Sequence, residues 1–351
     1  MAQPAASVTG SVTDPEGLPL PGAHVYLAGT MQGTVTRSDG TYSLRLALGA
    51  HRLAASMVGY TVSVRELQVY EETVYEVDFV LSPTVTTMDA VEVVAHEDRR
   101  WQRRLEYFQR TLFGTSSLAD SVRLLNPEVL DFSGRLGRLT ATARSPLEIE
   151  NRALGYRIRY DLEVFDALPH RVRYHGEPLF EEMEPRDREE AARWAQARQR
   201  AYRGSLRHLL RALANDAVRP EGFDLYLLPD EGPASRARGF TPPSLRSLGR
   251  PARASAIVRE GDDKGMYRLA FRGLLVIRYD GEPEDERFPM WEWNTTGSAH
   301  TADYQRSEIY VEHGGALFDA RGELADPFSV TRRGYLAFRR LAMLLPLEYG
   351  L

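Results

Sequence analysis

The chain contains no cysteine, which excludes disulfides, thiolate metal sites and cysteine nucleophiles in one step. It is almost without lysine: Lys264 is the one lysine among 44 basic residues, and arginine supplies the rest. Codon bias in a GC-rich genome explains this, and so does anion recognition by bidentate guanidinium groups; the sequence does not separate them. No stretch approaches the roughly twenty apolar residues of a membrane helix. Enzyme signatures are missing too. There is no His-Glu-x-x-His and no His-x-x-Glu zinc pair, no Gly-x-Ser-x-Gly elbow, no phosphate loop and no dinucleotide glycine pattern. The eight histidines are scattered along the chain and form no ligand set. The expectation is therefore no cofactor, no metal and no catalytic residue that a motif can name.

What is present is globular. The 351 residues are 43% hydrophobic and 10% aromatic, enough for two or three domain cores. A net charge of −5 gives no global electrostatic case for nucleic acid. The opening residues 1–6 read as a signal-peptide remnant, with an Ala-rich end of the kind found at cleavage sites; a flexible tail is the alternative.

Residues 7–82 are a train of short strands punctuated by turn residues. Val8 and Val12 alternate with polar residues as in a half-buried strand. Three prolines and two glycines between Pro15 and Gly22 break the pattern. Ala23 to Leu27 is a second strand. Ser38-Asp39-Gly40 is a turn, with Tyr42, Leu44 and Leu46 alternating after it, so a hairpin is expected over Gly33–Leu48. Further strands follow at Arg52–Met57, Thr61–Leu67 and Val74–Leu81. This spacing predicts an all-β sandwich.

The ordered set Gly10-x-Val12, Pro21-Gly22-Ala23-x-Val25, Gly33-Thr34, Asp39-Gly40-x-Tyr42 and Gly59-Tyr60 resembles the carboxypeptidase regulatory-like family of transthyretin-type sandwiches. In that family these positions are turn and core residues, so the resemblance implies a fold and no reaction. Thr87 to Ala95 resembles the short extended segment after the same sandwich in TonB-linked outer-membrane receptors. The long alternating barrel strands of such receptors are not in this sequence. What the resemblance implies is export, to the periplasm or cell surface. Residues 83–97 read as a linker containing one strand.

From residue 98 to 351 the pattern changes to mixed helices and strands, predicting an α+β domain with an antiparallel sheet. Leu105, Phe108 and Leu112 predict an amphipathic helix over Arg99–Phe113. Leu154 to Val164 reads as a strand, alternating from Tyr156 onward, with one solvated face. Met266–Phe271 and Leu274–Tyr279 are strands, and Ser307–Val311 with Ala316–Asp319 predicts a hairpin across Gly314-Gly315. The longest helix is expected over Arg186–Leu213. It carries an apolar stripe through Ala191, Ala195, Arg198, Tyr202, Leu206 and Leu209, an arginine face opposite, and a kink at Gly204-Ser205. Residues 228–255 are a long Pro- and Arg-rich loop. Leu125 to Val129, Leu154-Gly-Tyr156, Tyr202-x-Gly-Ser205 and Leu345-Pro346 resemble envelope proteins of Gram-negative bacteria that carry the same sandwich first. That resemblance implies no activity.

Six residues are candidates for binding. Arg198 is the charged residue on the apolar stripe: either its stem snorkels past Tyr202 or it is a buried guanidinium awaiting an anion. Tyr202, Arg207 and His208 lie near it, though His208 reads first as a satisfied core histidine. Trp291 and Trp293 offer two aromatics to a sugar or peptide, or else belong to a strand that buries alternate tryptophans. The five carboxylates of Asp280–Glu286 match no calcium-loop spacing and read as a solvated turn. Two functions stay open: a non-enzymatic envelope module that binds a peptide, glycan or partner protein, and a hydrolase whose site is assembled from sequence-distant residues of the second domain.

Overall fold

The computed structural model describes residues 5–84, 99–229 and 250–350, apart from Leu136, His170, Asp262, Lys264, Ser298, His300 and His313. The signal-peptide expectation falls largely, and the linker strand and the 228–255 loop mostly, outside the described residues. The chain divides into two compact units, Met1–Gln109 with Arg123–Glu184 and Arg110–Val122 with Pro185–Leu351.

In the first unit, turn residues cut the chain into β1 (Ala5–Thr13), β2 (His24–Leu27), β3 (Gly33–Val35), β4 (Thr41–Ala47), β5 (Gly49–Ser56), β6 (Ser63–Val69), β7 (Val74–Glu76) and β8 (Phe79–Val80). One sheet runs β4-β1-β7, with β8 also on β1, and the other runs β3-β2-β5-β6. Val8, Val12, Val25, Leu46, Leu53 and Phe79 fill the space between them.

The expected hairpin over Gly33–Leu48 does not form, because β3 pairs with β2 and β4 pairs with β1. Backbone commitments on either side of the turn explain this. Thr36 donates from N to Ala23 O at 2.9 Å and so stays with β2, while Gly40 O accepts from Val12 N at 2.9 Å and so starts the other sheet. Alternation identifies an inward face but not which sheet owns it.

A six-stranded antiparallel sheet completes this unit: β9 (Val122–Leu124), β10 (Leu130–Ser133), β11 (Leu139–Ala143), β12 (Leu147–Asn151), β13 (Tyr156–Leu168) and β14 (Arg171–Glu182). β13 pairs with β14 along its whole length, with a bulge between Leu162 and Val164. The helix α1 occupies Arg99–Phe113 as its periodicity predicts. Its Phe108 ring lies 5.6 Å from Phe132 and 4.5 Å from Phe165.

The second unit contains α2 (Arg188–Tyr202), α3 (Leu206–Ala214), β15 (Phe223–Leu228), β16 (Arg250–Pro251), α4 (Ala254–Ile257), β17 (Val258–Glu260), β18 (Met266–Leu269), β19 (Leu274–Tyr279), α5 (Phe288–Thr296), β20 (Gln305–Val311), β21 (Ala316–Asp319), β22 (Val330–Gly334) and α6 (Tyr335–Phe338). Antiparallel sheets of order β16-β15-β19-β20-β22 and β17-β18-β21 share a core with α3 through Leu209, Leu213, Phe223, Ile277, Ile309 and Phe318. The predicted hairpin across Gly314-Gly315 is therefore a crossing between sheets: β20 pairs with β19 and β22, and β21 pairs with β18.

The expected helix over Arg186–Leu213 is two helices. Gly204 at φ 68° breaks the first, and the Ser205 side chain caps the second by accepting from His208 N at 3.1 Å. The buried residues of α2 are Glu190, Trp194 and Ala201, so its inner face is rotated by about one position from the expected stripe; Ala195 is exposed and Arg198 half-buried. The Met290–Trp293 segment is helical, within α5, and not a strand.

Candidate functional site

The α2–α3 break creates the site. Breaking α2 leaves its last carbonyls without intrahelical donors. Arg339, buried on the residue after α6, supplies them, donating from Nη1 to Ala201 O at 2.8 Å and from Nη2 to Arg200 O at 3.3 Å. A guanidinium at a helix C-terminus also meets the negative end of the dipole. Arg207 acts similarly on the segment 345–350, donating to Pro346 O at 2.8 Å and Tyr349 O at 3.0 Å. Burial lowers the pKa of both arginines. Neither has a carboxylate within ion-pair distance among the described residues; carbonyl oxygens accept from their Nη groups instead, while the buried Arg339 Nε is left without a partner.

A cavity of about 520 Å³ opens at this junction. Tyr202, His208, Tyr279 and Tyr349 give it ring walls, and Gln199, Arg203 and Glu221 add polar groups. His208 lies 4.9 Å from Tyr202 and 5.6 Å from Tyr279 between ring centroids. Both imidazole nitrogens are engaged: Nδ1 accepts from Gly204 N at 3.1 Å, so Nε2 carries the proton and donates to Glu221 at 3.0 Å. Burial, partly opposed by Glu221, lowers the His208 pKa. Arg203 donates to Glu282 at 3.1 Å. Glycines hold the rings close. A Cβ at Gly204 would stand 2.7 Å from the Tyr279 ring, and one at Gly281 would stand 2.2 Å from the Tyr279 hydroxyl.

Of the sequence candidates, Tyr202 and His208 line this cavity. Arg207 stands beside it, its guanidinium 5.5 Å from the Tyr202 ring centre. Arg198 is close enough, with Arg203 and Arg207, to act on the Tyr349 phenol. Trp291 is not part of it; it packs on Phe288 and Phe338, with centroids 5.8 and 5.6 Å away. Trp293 is 57% exposed on α5. Sequence reading missed Arg203, Glu221, Tyr279, Tyr349 and Arg339, which come from five separate segments. The one available signal was Gly204, read as a kink. In the acidic stretch, Glu282 holds Arg203, and Asp285 accepts from Ser117 N at 3.0 Å.

Within the first unit a second polar cluster joins β2 and β5 to β13 and β14. Tyr26 donates to Asp161, Arg52 donates to Glu177, and Arg159 donates to Ser56 at 3.1 Å. Burial raises the Asp161 pKa, opposed by the Tyr26 hydrogen bond and Arg159. Glu163, His175 and Glu177 are spaced closely enough to hold a metal ion. Arg52 already brings a cation there, 2.8 Å from His175 Nε2 and bonded to Glu177. In this structure the donor set is engaged by a guanidinium.

Comparison with known proteins bears on the start of the chain. Residues 7–82 match the family model of the carboxypeptidase regulatory-like domain. A TonB-dependent receptor of Formosa agariphila is 33% identical over 95 residues, 27% of this chain and 9% of the receptor. The chain thus spans under a tenth of that relative's length. Among solved structures, a hydroxyquinol 1,2-dioxygenase from Pseudomonas putida is similar at 11% identity and TM-score 0.21, over 24% of this chain and 58% of that one. A streptococcal ancillary pilin is similar at 14% identity and TM-score 0.21, over 24% and 34%. Scores this low carry no argument.

The regulatory-like domain's motif residues have a physical reading in this fold. A Cβ at Gly10 would stand 1.9 Å from Val77 O, the same carbonyl that accepts from Tyr42 Oη at 2.6 Å. Only glycine lets the chain at residue 77 lie against β1 while the Tyr42 ring reaches beneath it. In this way the motif residues Gly10 and Tyr42 help to close the sandwich.

Proposed function

We propose that the chain is a non-enzymatic module of the bacterial cell envelope, exported to the periplasm or cell surface, that binds a peptide, glycan or partner protein at the α2–α3 cavity. The envelope setting is supported by the regulatory-like domain and by the TonB-dependent receptor relative. No helix among the described residues is long and apolar enough to cross a membrane. One observation carries the preference for binding over catalysis. His208, the cavity's one imidazole, has both ring nitrogens in hydrogen bonds. Taking up a proton would cost it the Gly204 bond, so it is a poor general base.

The hydrolase reading draws on the same His208–Glu221 pair but needs a nucleophile or metal beside it, and the lining offers tyrosines for that role and no serine or threonine. The test is calorimetric titration of the full chain with peptide and oligosaccharide libraries, alongside Tyr202→Ala. Saturable binding that Tyr202→Ala abolishes supports the module. Hydrolysis of a library member, lost in His208→Gln, overturns it.

A further inference from the structure

The bulge in β13 between Leu162 and Val164 leaves Glu163 as the extra residue, opposite the step from His175 to Gly176 on β14. Such a bulge re-aims the side chain it carries. His175 and Glu177, two apart on β14, share one face of that strand. Together they bring Glu163 Oε2 to 3.6 Å and Glu177 Oε1 to 3.5 Å from His175 Nε2, and the three donor atoms all lie within 4.8 Å of one another. With bonds of about 2.0–2.1 Å, two donors on a tetrahedral zinc ion stand about 3.3 Å apart, and neighbouring donors on an octahedral ion about 3.0 Å. The observed spacing is nearer the tetrahedral edge.

Arg52, on β5, shows which charge this space accepts. A guanidinium has donors and no acceptor, so the 2.8 Å contact of Arg52 Nη2 with His175 Nε2 makes that nitrogen the acceptor. Its lone pair, through which a neutral imidazole binds metals, points at the same Nη2 that donates to Glu177. A cation is thus seated on two of the donors, one of them a carboxylate whose side chain is 1% exposed. The side chains of Arg52 and Glu163 are 21% and 39% exposed, so an ion can enter from solvent and the guanidinium can leave to it.

We propose that Glu163, His175 and Glu177 form a zinc-class divalent metal site, in which the ion takes the place of the Arg52 guanidinium. The two carboxylates cancel both charges of the ion, where Arg52 cancels one. Three protein donors leave a fourth tetrahedral position for water. The site lies wholly in the first unit and is independent of any ligand at the α2–α3 cavity.

Calorimetric titration of the full chain with zinc chloride, after removal of adventitious metal by a chelator, is expected to show one saturable site. Glu163→Gln and His175→Gln should each weaken it by at least the roughly tenfold that loss of an outer-shell partner costs. Arg52→Gln should tighten it about tenfold, because no charge-assisted bonds then have to break first. Zinc should also raise the melting temperature of Arg52→Gln more than that of the wild type, by returning a cation to Glu177. Cobalt(II) in place of zinc should give the strong visible band of a tetrahedral ion, and a weak octahedral spectrum overturns the assigned site. No binding by wild type and Arg52→Gln alike overturns the proposal. Binding by Arg52→Gln alone overturns it for the natural chain, in which the guanidinium then holds the space. Binding that survives both Glu163→Gln and His175→Gln marks an adventitious ion only and overturns it as well.

Discussion

Glu308 illustrates how one side chain couples this fold to pH. It is buried on β20, and that burial, with Glu292 adding to it and Arg306 and Arg333 opposing, pushes its pKa up to about 7. The folded state therefore holds a proton that the unfolded state has already released. Its contribution to stability is complete below the ordinary glutamate value and is lost as pH rises through about 7, a change on the order of 1–3 kcal/mol. Urea unfolding near pH 5 and near pH 8 should show that fall, and Glu308→Gln should flatten it. A wild-type curve that rises over the interval contradicts the assignment. The arginines make a second contrast. Arg198 is half-buried, and Arg198→Met should change stability by less than about 1 kcal/mol. Arg339→Met strands the carbonyls that end α2 and should cost about 3 kcal/mol in the same thermal melt.

Among the elements, the α2–α3 break decides most. Gly204 has φ 68°, and a Cβ there would stand 2.3 Å from Gln305 Oε1. Gly204→Ala should therefore destabilise by about 2 kcal/mol or more. It should also disturb the His208 Nδ1 bond, visible as a shifted imidazole resonance. An unchanged melt and spectrum would show that the break is not strained. Helix α1 and strand β13 were legible because their periods are long and uninterrupted. The single helix over Arg186–Leu213 was not correctly read, because the periodic residues on both sides of Gly204 hide a turn of three residues. The tryptophan segment was misread because two aromatics at i and i+2 suit a strand, while Pro289 near the start and Gly297 at the end cap a helix.

At the scale of the molecule, the sandwich has its own core but also shares its Tyr26–Asp161 and Arg52–Glu177 seam with β13 and β14. We keep as a proposal a sandwich domain over residues 7–82 followed by a domain over 98–351; the compact units assign 123–184 to the sandwich side. Calorimetry of a 1–84 fragment should show a cooperative transition at a lower temperature than the full chain, since Tyr26 and Arg52 lose their partners. In the full chain, Tyr26→Phe leaves Asp161 short of a donor and should cost about 1–3 kcal/mol. A fragment that never folds would count against an independent sandwich.

Sequence alone determined the all-β start, its family, the α1 helix and the poverty of catalytic motifs, because these depend on local turn chemistry, on period and on residue types counted along the chain. It also pointed at Tyr202, Arg207 and His208, through their places on one helical stretch. Tertiary structure decided everything that needed partners from afar. Strand ownership between sheets, the seam, the carbonyls that accept from Arg207 and Arg339, and the meeting of Tyr202 with Tyr279 and Tyr349 all join residues tens of positions apart. Local patterning says which way a side chain faces. Only packing chooses what it meets there.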